Sequence, residues 1–265
     1  MSCSILLSLY AREKPTFLRD CLQSLARQTR PAAEIILVED GAITEELRAV
    51  IDSFAATLPI KPVRLPVNVG LGRALNAGLS HCSHMLVARM DTDDVARPTR
   101  LEKQLAYMEA RPEIAVCGTW VVEKDAAMQH ATFLKKLPLE HVAMAAFAKN
   151  RNPLCHPACI FRRDAVLSVG GYPAVFPEDY ALWSLMIVRG FRLGNLPEVL
   201  LDMRTGDDFI ERRGFDFLKR EISLVKFQRS IGFFTFFEAA RFFAVRVALR
   251  LPPAWLRSLL YKYTR

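Results

Sequence analysis

Between Ser4 and Val122 the apolar residues switch repeatedly between two spacings, and few folds accept that pattern. Ser4 to Tyr10 is a short apolar run of strand type. From Pro15 the spacing turns helical, with Leu18, Cys21, Leu22 and Leu25 on one face. Pro15 suits a helix start, where its missing N–H costs nothing. Glu34 to Glu39 is apolar nearly throughout, as expected of a parallel strand covered on both faces. Asp40-Gly41 ends it, and Leu47, Val50, Ile51, Phe54 and Leu58 space out a second helix. Val63 to Val67 reads as a weaker strand, its pairing limited by Pro62 and Pro66. Gly70 to Leu79 follows as a helix and His84 to Met90 as a strand. A helix then starts at Pro98, with Leu101, Leu105 and Met108 on its face, and Ile114 to Val122 closes the series as a strand.

This alternation predicts an α/β fold, an open, mostly parallel sheet with helices on both faces. Ligands of such sheets bind beyond the carboxyl ends of the strands. Tyr10, Asp40, Asn68 and Asp91 each fall just past a predicted strand end, so the fold alone sets them on one rim. After about residue 125 the alternation weakens. A loop with Asn152, Pro153, His156 and Pro157 leads into a short strand, Ala158 to Phe161, and Gly170-Gly171-Tyr172 makes a turn. Glu178-Asp179 opens a helix whose apolar face carries Leu182, Leu185 and Met186. Leu196 to Met203 reads as one more strand, and beyond Gly206 the pattern is helical. The length of 265 residues fits one large domain, alone or with a short appendage.

The formal net charge of +8 favours acidic partners: nucleic acid, phosphates or an anionic membrane surface. No nucleic-acid-binding module is recognisable, so a nucleic-acid partner is not expected. The start, Met-Ser-Cys-Ser-Ile-Leu-Leu, has no positive n-region and reads as a strand, which places the chain in the cytoplasm with reduced thiols. Six cysteines occur at irregular spacing without a CxxC pair, and small buried thiols are preferred over a zinc site.

The chemistry concentrates in two acidic sites. Asp91-Thr92-Asp93-Asp94 packs three carboxylates at a strand end, which is costly unless the loop is well solvated or a cation is bound. Mg²⁺ or Mn²⁺ would suit such hard oxygen donors, shared with substrate phosphates. Glu178-Asp179 at a helix N-terminus either offsets the helix dipole or supplies a general base for an acceptor hydroxyl. Asn68-Val69-Gly70-Leu71-Gly72-Arg73 is half of a dinucleotide fingerprint and fails at Leu75, so its glycines are read as easing a loop into its helix.

Five stretches, in order, resemble glycosyltransferase family 2 with its GT-A nucleotide-sugar-binding fold. They are Ser8-Leu9-Tyr10, Leu37 to Gly41, Asn68 to Asn76, Ala88 to Asp94, and Phe176 to Trp183. The resemblance covers about residues 3 to 205. It is strongest to amylovoran-type and O-antigen transferases of enteric bacteria, through Arg151-Asn152-Pro153, His156-Pro157 and Arg212-Arg213-Gly214. It implies a catalytic domain over 1–205, with a nucleotide-binding half (1–97) and an acceptor-binding half (98–205), then a basic helical segment over 206–265.

The resemblance also implies roles. Leu9, Tyr10, Glu13, Asp40, Asn68, Gly70, Arg73 and Asp91 would line the nucleotide, with Tyr10 and Asp40 on the uracil. Asp93, with Asp91, would hold the metal. Asp179 would be the base with Glu178 beside it, and His156, Arg163 and Trp183 would face the acceptor. The implied reaction inverts the anomeric carbon. No processive-synthase motif follows Trp183, which predicts one sugar per binding event. UDP-galactose is the first expected donor, with UDP-glucose next, and an undecaprenyl-diphosphate-linked sugar the expected acceptor.

The stretch from Ile231 is rich in Phe but broken by Glu238, Arg241, Arg246 and Arg250, and Arg257, Lys262 and Arg265 follow. It lacks the roughly 18 uninterrupted apolar residues of a membrane span. A basic amphipathic helix can instead lie in an anionic interface, which places the chain at the inner face of the bacterial inner membrane. The alternative is a helix packed on the domain with its arginines outward. A nucleotidyltransferase would need a basic glycine-rich phosphate loop after the first strand, and Ser8 to Glu13 is not one. A non-catalytic membrane-peripheral assembly protein is opposed by the intact acidic pairs.

Overall fold

The computed structural model describes residues 1–206 and 215–250. Arg212-Arg213-Gly214, Arg257, Lys262 and Arg265 lie outside the described residues. One nine-stranded sheet runs through the molecule. Its first half is parallel: β3 (Ile60–Arg64), β2 (Glu34–Glu39), β1 (Cys3–Leu9) and β4 (Leu86–Arg89), in that order. Next comes β8 (Ile160–Arg162), antiparallel to both β4 and β6 (Ile114–Lys124). Beyond β6 lies β9 (Arg192–Arg204), parallel to it, and then β5 (Val95–Ala96), antiparallel to β9. The hairpin strand β7 (Ala131–Lys135) pairs with β6. One reversed strand thus joins two groups of parallel strands.

Each face of the sheet takes alternate residues of the same strands, as the two-residue period requires. Ile5, Leu7 and Leu9 point into one core with Leu18 and Leu22 of α1 (Pro15–Ala26), Val50 of α2 (Glu45–Ser53) and Leu105 of α4 (Arg100–Ala110). Leu6, Ile36 and Val38 point into the other, with Leu75 and Leu79 of α3 (Leu71–His81) and Met186 of α7 (Glu178–Val188). Two further helices, α5 (His141–Phe147) and α6 (Arg163–Ser168), fill the second half.

The weaker strand lies earlier than expected, at Ile60–Arg64, and Val67 is 62% exposed. The reason is that β3 bonds only to β2, so Pro62, opposite Leu37, removes no ladder bond the fold needs. The expected apolar face of α7 is also too narrow. Every residue from Tyr180 to Met186 is buried, because the helix is covered on both sides. Its outer cover is α8 (Phe215–Ser230) and α9 (Phe236–Arg250), which close a third core of Tyr180, Ala181, Leu224, Phe233, Phe234 and Phe242. The basic helical segment is therefore packed on the sheet domain through its described part.

Gly78 of α3 sits directly over the sheet. A Cβ there would come within 2.5 Å of both Leu6 Cδ1 and Val38 Cγ2. Gly78→Val is expected to destabilise the chain by about 2–3 kcal/mol through overpacking, read as a lower urea midpoint at unchanged slope.

Candidate active site

The carboxyl ends of β1, β2 and β4 form one rim, and the loops leaving it carry most of the expected site residues. At the end of β2 Asp40 is 4% exposed, and its amide donates to the Leu9 carbonyl at 2.7 Å. Its carboxylate accepts from the Val69 amide (2.7 Å) and the Gly70 amide (3.1 Å). Asp40 thus pins the loop that leads into α3. Gly41 makes the approach possible: its φ is +84°, and a Cβ would meet the Asn68 amide nitrogen at 2.9 Å. Tyr10, Asn68, Gly70 and Arg73 stand exposed around this loop.

Leu9 is a correction. Its side chain is fully buried in the core, so only its carbonyl serves the rim, by holding Asp40. Glu13 reaches from the loop after β1 to the acidic run, where its Oε2 accepts from Thr92 Oγ1 at 2.7 Å.

Asp91, Asp93 and Asp94 follow β4, and one carboxylate oxygen from each lies within 4.8 Å of the others. Burial first, then repulsion from Asp91 and Glu13, pushes the Asp93 carboxyl up to about 7. Asp94 is raised well above the carboxylate range by burial, then by Asp91 and Asp93. One oxygen of Asp94 accepts from the Arg204 amide at 2.9 Å, and the other is buried without a partner. Three closely spaced carboxyls, one with an orphaned oxygen, are hard oxygen donors that fit a divalent cation such as Mn²⁺ or Mg²⁺.

Two arginines absent from the expected set hold this run. Arg204 of β9 donates to the Asp93 carbonyl (2.8 Å) and to Asp20 (2.9 Å), and stacks 3.8 Å from the Phe17 ring. Arg89, the last residue of β4, is 1% exposed and bonded to the Asp91 carboxylate. Its charge also favours ionised Glu178 and Asp179 at the start of α7. A lone charged residue inside the apolar strand sequence Met85 to Met90 was the signal for it.

Arg89 therefore stands between the two acidic sites. The two sites lie within electrostatic reach of each other, since Asp91 also raises Glu178, and α3 meets the first turn of α7, where a Cβ on Gly72 would lie 3.2 Å from Glu178 Cβ. Burial, then Asp179, raises Glu178 to about 7. Burial raises Asp179 too, opposed by hydrogen bonds from the Tyr180 amide (2.8 Å) and from Asn152 Nδ2 (2.6 Å). Asn152, noted only as part of a motif, is thus a direct partner of the candidate base.

The three expected acceptor-side residues do not line the site. Arg163 starts α6 at the opposite end of β4, where its amide and guanidinium donate to the carbonyls of Met85 and Cys82. Trp183 is fully buried in the core between α7 and the sheet, with Leu182 and Met186. His156 is buried, bonded through Nε2 to Tyr172 Oη at 3.0 Å and set edge-on to Trp183. Burial, then Arg89, drives its pKa well below the usual value, so its ring is neutral and braces the turn at Tyr172.

A carboxyl whose folded pKa is raised keeps its extra proton, and the stability that proton brings, only at low pH. For Asp93 that stability is lost as the pH rises from about 4 to about 7. Without divalent cations, Asp93→Asn is expected to raise the melting temperature by a few degrees at pH 8 and hardly at all at pH 4. It is also expected to weaken Mn²⁺ binding, read by calorimetric titration.

Residues 4–170 match Glycosyl transferase family 2. The chain is 42% identical to the amylovoran biosynthesis glycosyltransferase AmsE of Erwinia amylovora, over 99% of this chain and 98% of that one. It is 35% identical to the UDP-Gal:alpha-D-GlcNAc-diphosphoundecaprenol beta-1,3-galactosyltransferase of Escherichia coli, over 98% and 94%. Among solved structures it is similar to S. aureus TarS 1-349 in complex with UDP, at TM-score 0.66 and 16% identity, covering 86% of this chain and 65% of that one. It is also similar to the mannosyltransferase PcManGT of Pyrobaculum calidifontis in complex with GDP-Man and Mn2+, at TM-score 0.64 and 17% identity, covering 98% and 78%. These structural likenesses bear on the GT-A fold, while the sequence matches carry the family: the chain belongs to glycosyl transferase family 2 and is a glycosyltransferase.

Proposed function

We propose that the chain moves a hexose, galactose from UDP-galactose as the first choice, onto a sugar linked through diphosphate to undecaprenol, in O-antigen or exopolysaccharide assembly. The observation that carries the chemistry is the meeting of the two acidic sites over Arg89, one suited to a cation and one to a base. The donor and acceptor rest on the E. coli relative, whose name specifies UDP-Gal and a GlcNAc-diphosphoundecaprenol. UDP-glucose is the second choice.

Residues 1–97 hold the donor and 98–205 the acceptor. Tyr10, 44% exposed, lies against the uracil at the rim that Asp40 shapes, and Glu13, Asn68, Gly70 and Arg73 border the nucleotide. Asp93 and Asp91 would hold Mn²⁺ or Mg²⁺, which when bound neutralises charge on the leaving diphosphate. Asp179 takes the proton of the acceptor hydroxyl as its oxygen attacks the anomeric carbon. The carbon–oxygen bond to the diphosphate breaks on the opposite face, UDP leaves, and the configuration inverts. Glu178 shapes the pocket beside the base. One sugar is added per binding event.

No helix among the described residues is long and apolar enough to cross a membrane. Contact with the anionic inner face is instead made by the start of α9. Phe236 and Phe237 are 62% and 81% exposed there, with Arg229 set 5.3 Å from the Phe236 ring. The acidic Glu238 turns inward to Lys149 at 3.2 Å, which leaves the outer edge apolar and basic.

Asp179→Asn is expected to lower transfer from UDP-galactose to a synthetic GlcNAc-diphosphate-lipid by about 10²–10⁴-fold, and Asp93→Ala by a similar factor, with Mn²⁺ present. Retained transfer in both variants would sink this mechanism. Phe236→Ser/Phe237→Ser is expected to abolish flotation with anionic liposomes while leaving the melting temperature unchanged. Equal flotation would remove the membrane contact from this helix.

A further inference from the structure

The loop between α5 and Asn152 is gripped from two sides. At its start the Tyr180 hydroxyl donates to the Ala148 carbonyl at 2.5 Å. The next residue, Lys149, points into α9 and its approach. Its ammonium bonds to the Phe233 carbonyl, pairs with Glu238 at 3.2 Å, and lies 4.6 Å from the Phe233 ring. Asn150 is held twice from α9: Arg241 Nη2 donates to its side-chain oxygen at 2.9 Å, and Arg246 Nη2 donates to its carbonyl at 3.0 Å. Arg246 is in turn paired with the buried Glu221 of α8 at 3.7 Å. Asn152 then donates to Asp179 Oδ2 at 2.6 Å and accepts from the Leu154 amide at 3.2 Å.

We infer that Asn152 is a positioning residue for Asp179, and that α9 fixes it there through Arg241 and Arg246. This rests on the reading of Asp179 as the base. The C-terminal helices are then part of the catalytic apparatus as well as a cover for α7. The physical argument is one of orientation. With one oxygen taken by the Tyr180 amide and the other by Asn152, the carboxylate plane is fixed, and each oxygen keeps a lone pair for an acceptor proton. Asn152 is tied on its far side to the Leu154 amide, and the next carbonyl, of Pro153, accepts from Asn195 Nδ2 at 3.2 Å. On its near side it follows Asn150, which α9 holds twice, so loosening α9 weakens the hold on the donor from that side.

The charged and titratable groups facing Asp179 are Glu178 and Tyr180 on its own helix, Arg89 from β4, Lys135 from β7, Tyr172 from the preceding turn, and Cys159 before β8. None of them is altered by the variants below. A donor to the ionised carboxylate holds its titration down, so removing that donor moves the titration to higher pH.

The test follows Asp179 by NMR in the full chain with carboxyl-labelled aspartate, its resonance being the one missing from Asp179→Asn. Asn152→Ala is expected to move the titration upward by about one pH unit, and to lower kcat about tenfold at unchanged donor KM. Arg241→Ala/Arg246→Ala is expected to move it the same way, Arg241→Ala alone by less, and Arg241→Lys to restore it. Adding Asn152→Ala to the arginine pair should give no further movement, because both act through one contact. An unmoved titration in Asn152→Ala, or full additivity, would overturn the inference. Arg241→Ala, exposed on the surface, keeps the test available if the double variant does not fold. If Asp179→Asn still transfers sugar, the base reading fails, while the titrations still report whether α9 and Asn152 hold the carboxylate.

Discussion

A guanidinium buried at the end of an apolar strand must find negative charge, since burial of an unpaired ion costs several kcal/mol. Arg89 is in that position, and the rest of the site is arranged around its demand. It bonds to Asp91 and lowers the cost of ionising Asp93, Asp94, Glu178 and Asp179. Those carboxyls are pushed upward by burial and by neighbouring acids, and Arg89 works against that push together with backbone hydrogen bonds. One cation cannot balance so many. The Asp91-Asp93-Asp94 triangle sets three carboxyls against one bond from Arg89, and a divalent ion there would supply the positive charge that lets them ionise together.

The frame that keeps these groups in register is made of contacts between distant segments. Asp40 ties the end of β2 to the loop before α3, and Arg204 ties the end of β9 to the acidic run and to α1. Asn76 of α3 holds the turn before α7, accepting from the Tyr172 amide at 2.7 Å and donating to its carbonyl at 2.9 Å. His156 braces the same turn from below. The loop at Asp40 and the turn before α7 are thus joined through α3 and its approach.

Legibility in the sequence followed the strength of the local pattern. β2 matches its expected limits because a continuous apolar run bounded by Asp40-Gly41 has one reading. β3 slid because an edge strand needs little pattern, and two prolines leave its limits open. β7, α5 and α6 were unforeseen: they are short, and much of their surface faces water. Among site residues, Tyr10, Asp40 and Asp91 fell on the rim because topology puts the ends of β1, β2 and β4 there, whereas Asn68, four residues past β3, is brought to it by its bond to the Asp40 carbonyl. Arg163, Trp183 and His156 did not, because which way a side chain points depends on what covers its element. Trp183 is enclosed in the core between α7 and the sheet, beside His156, and no local pattern announces that packing.

The sequence by itself determined the α/β alternation, the rim at the carboxyl ends of the strands, and the two acidic sites, since these depend on residue type and period within short windows. Only the tertiary structure decided that the two sites meet over Arg89, that Asp40 and Arg204 fasten loops far from them in sequence, and that Asn152 reaches Asp179. Those relations join residues 27 to 111 positions apart. They are fixed by how sheet and helices pack, and a hydrophobic period carries no record of which distant polar groups that packing brings into contact.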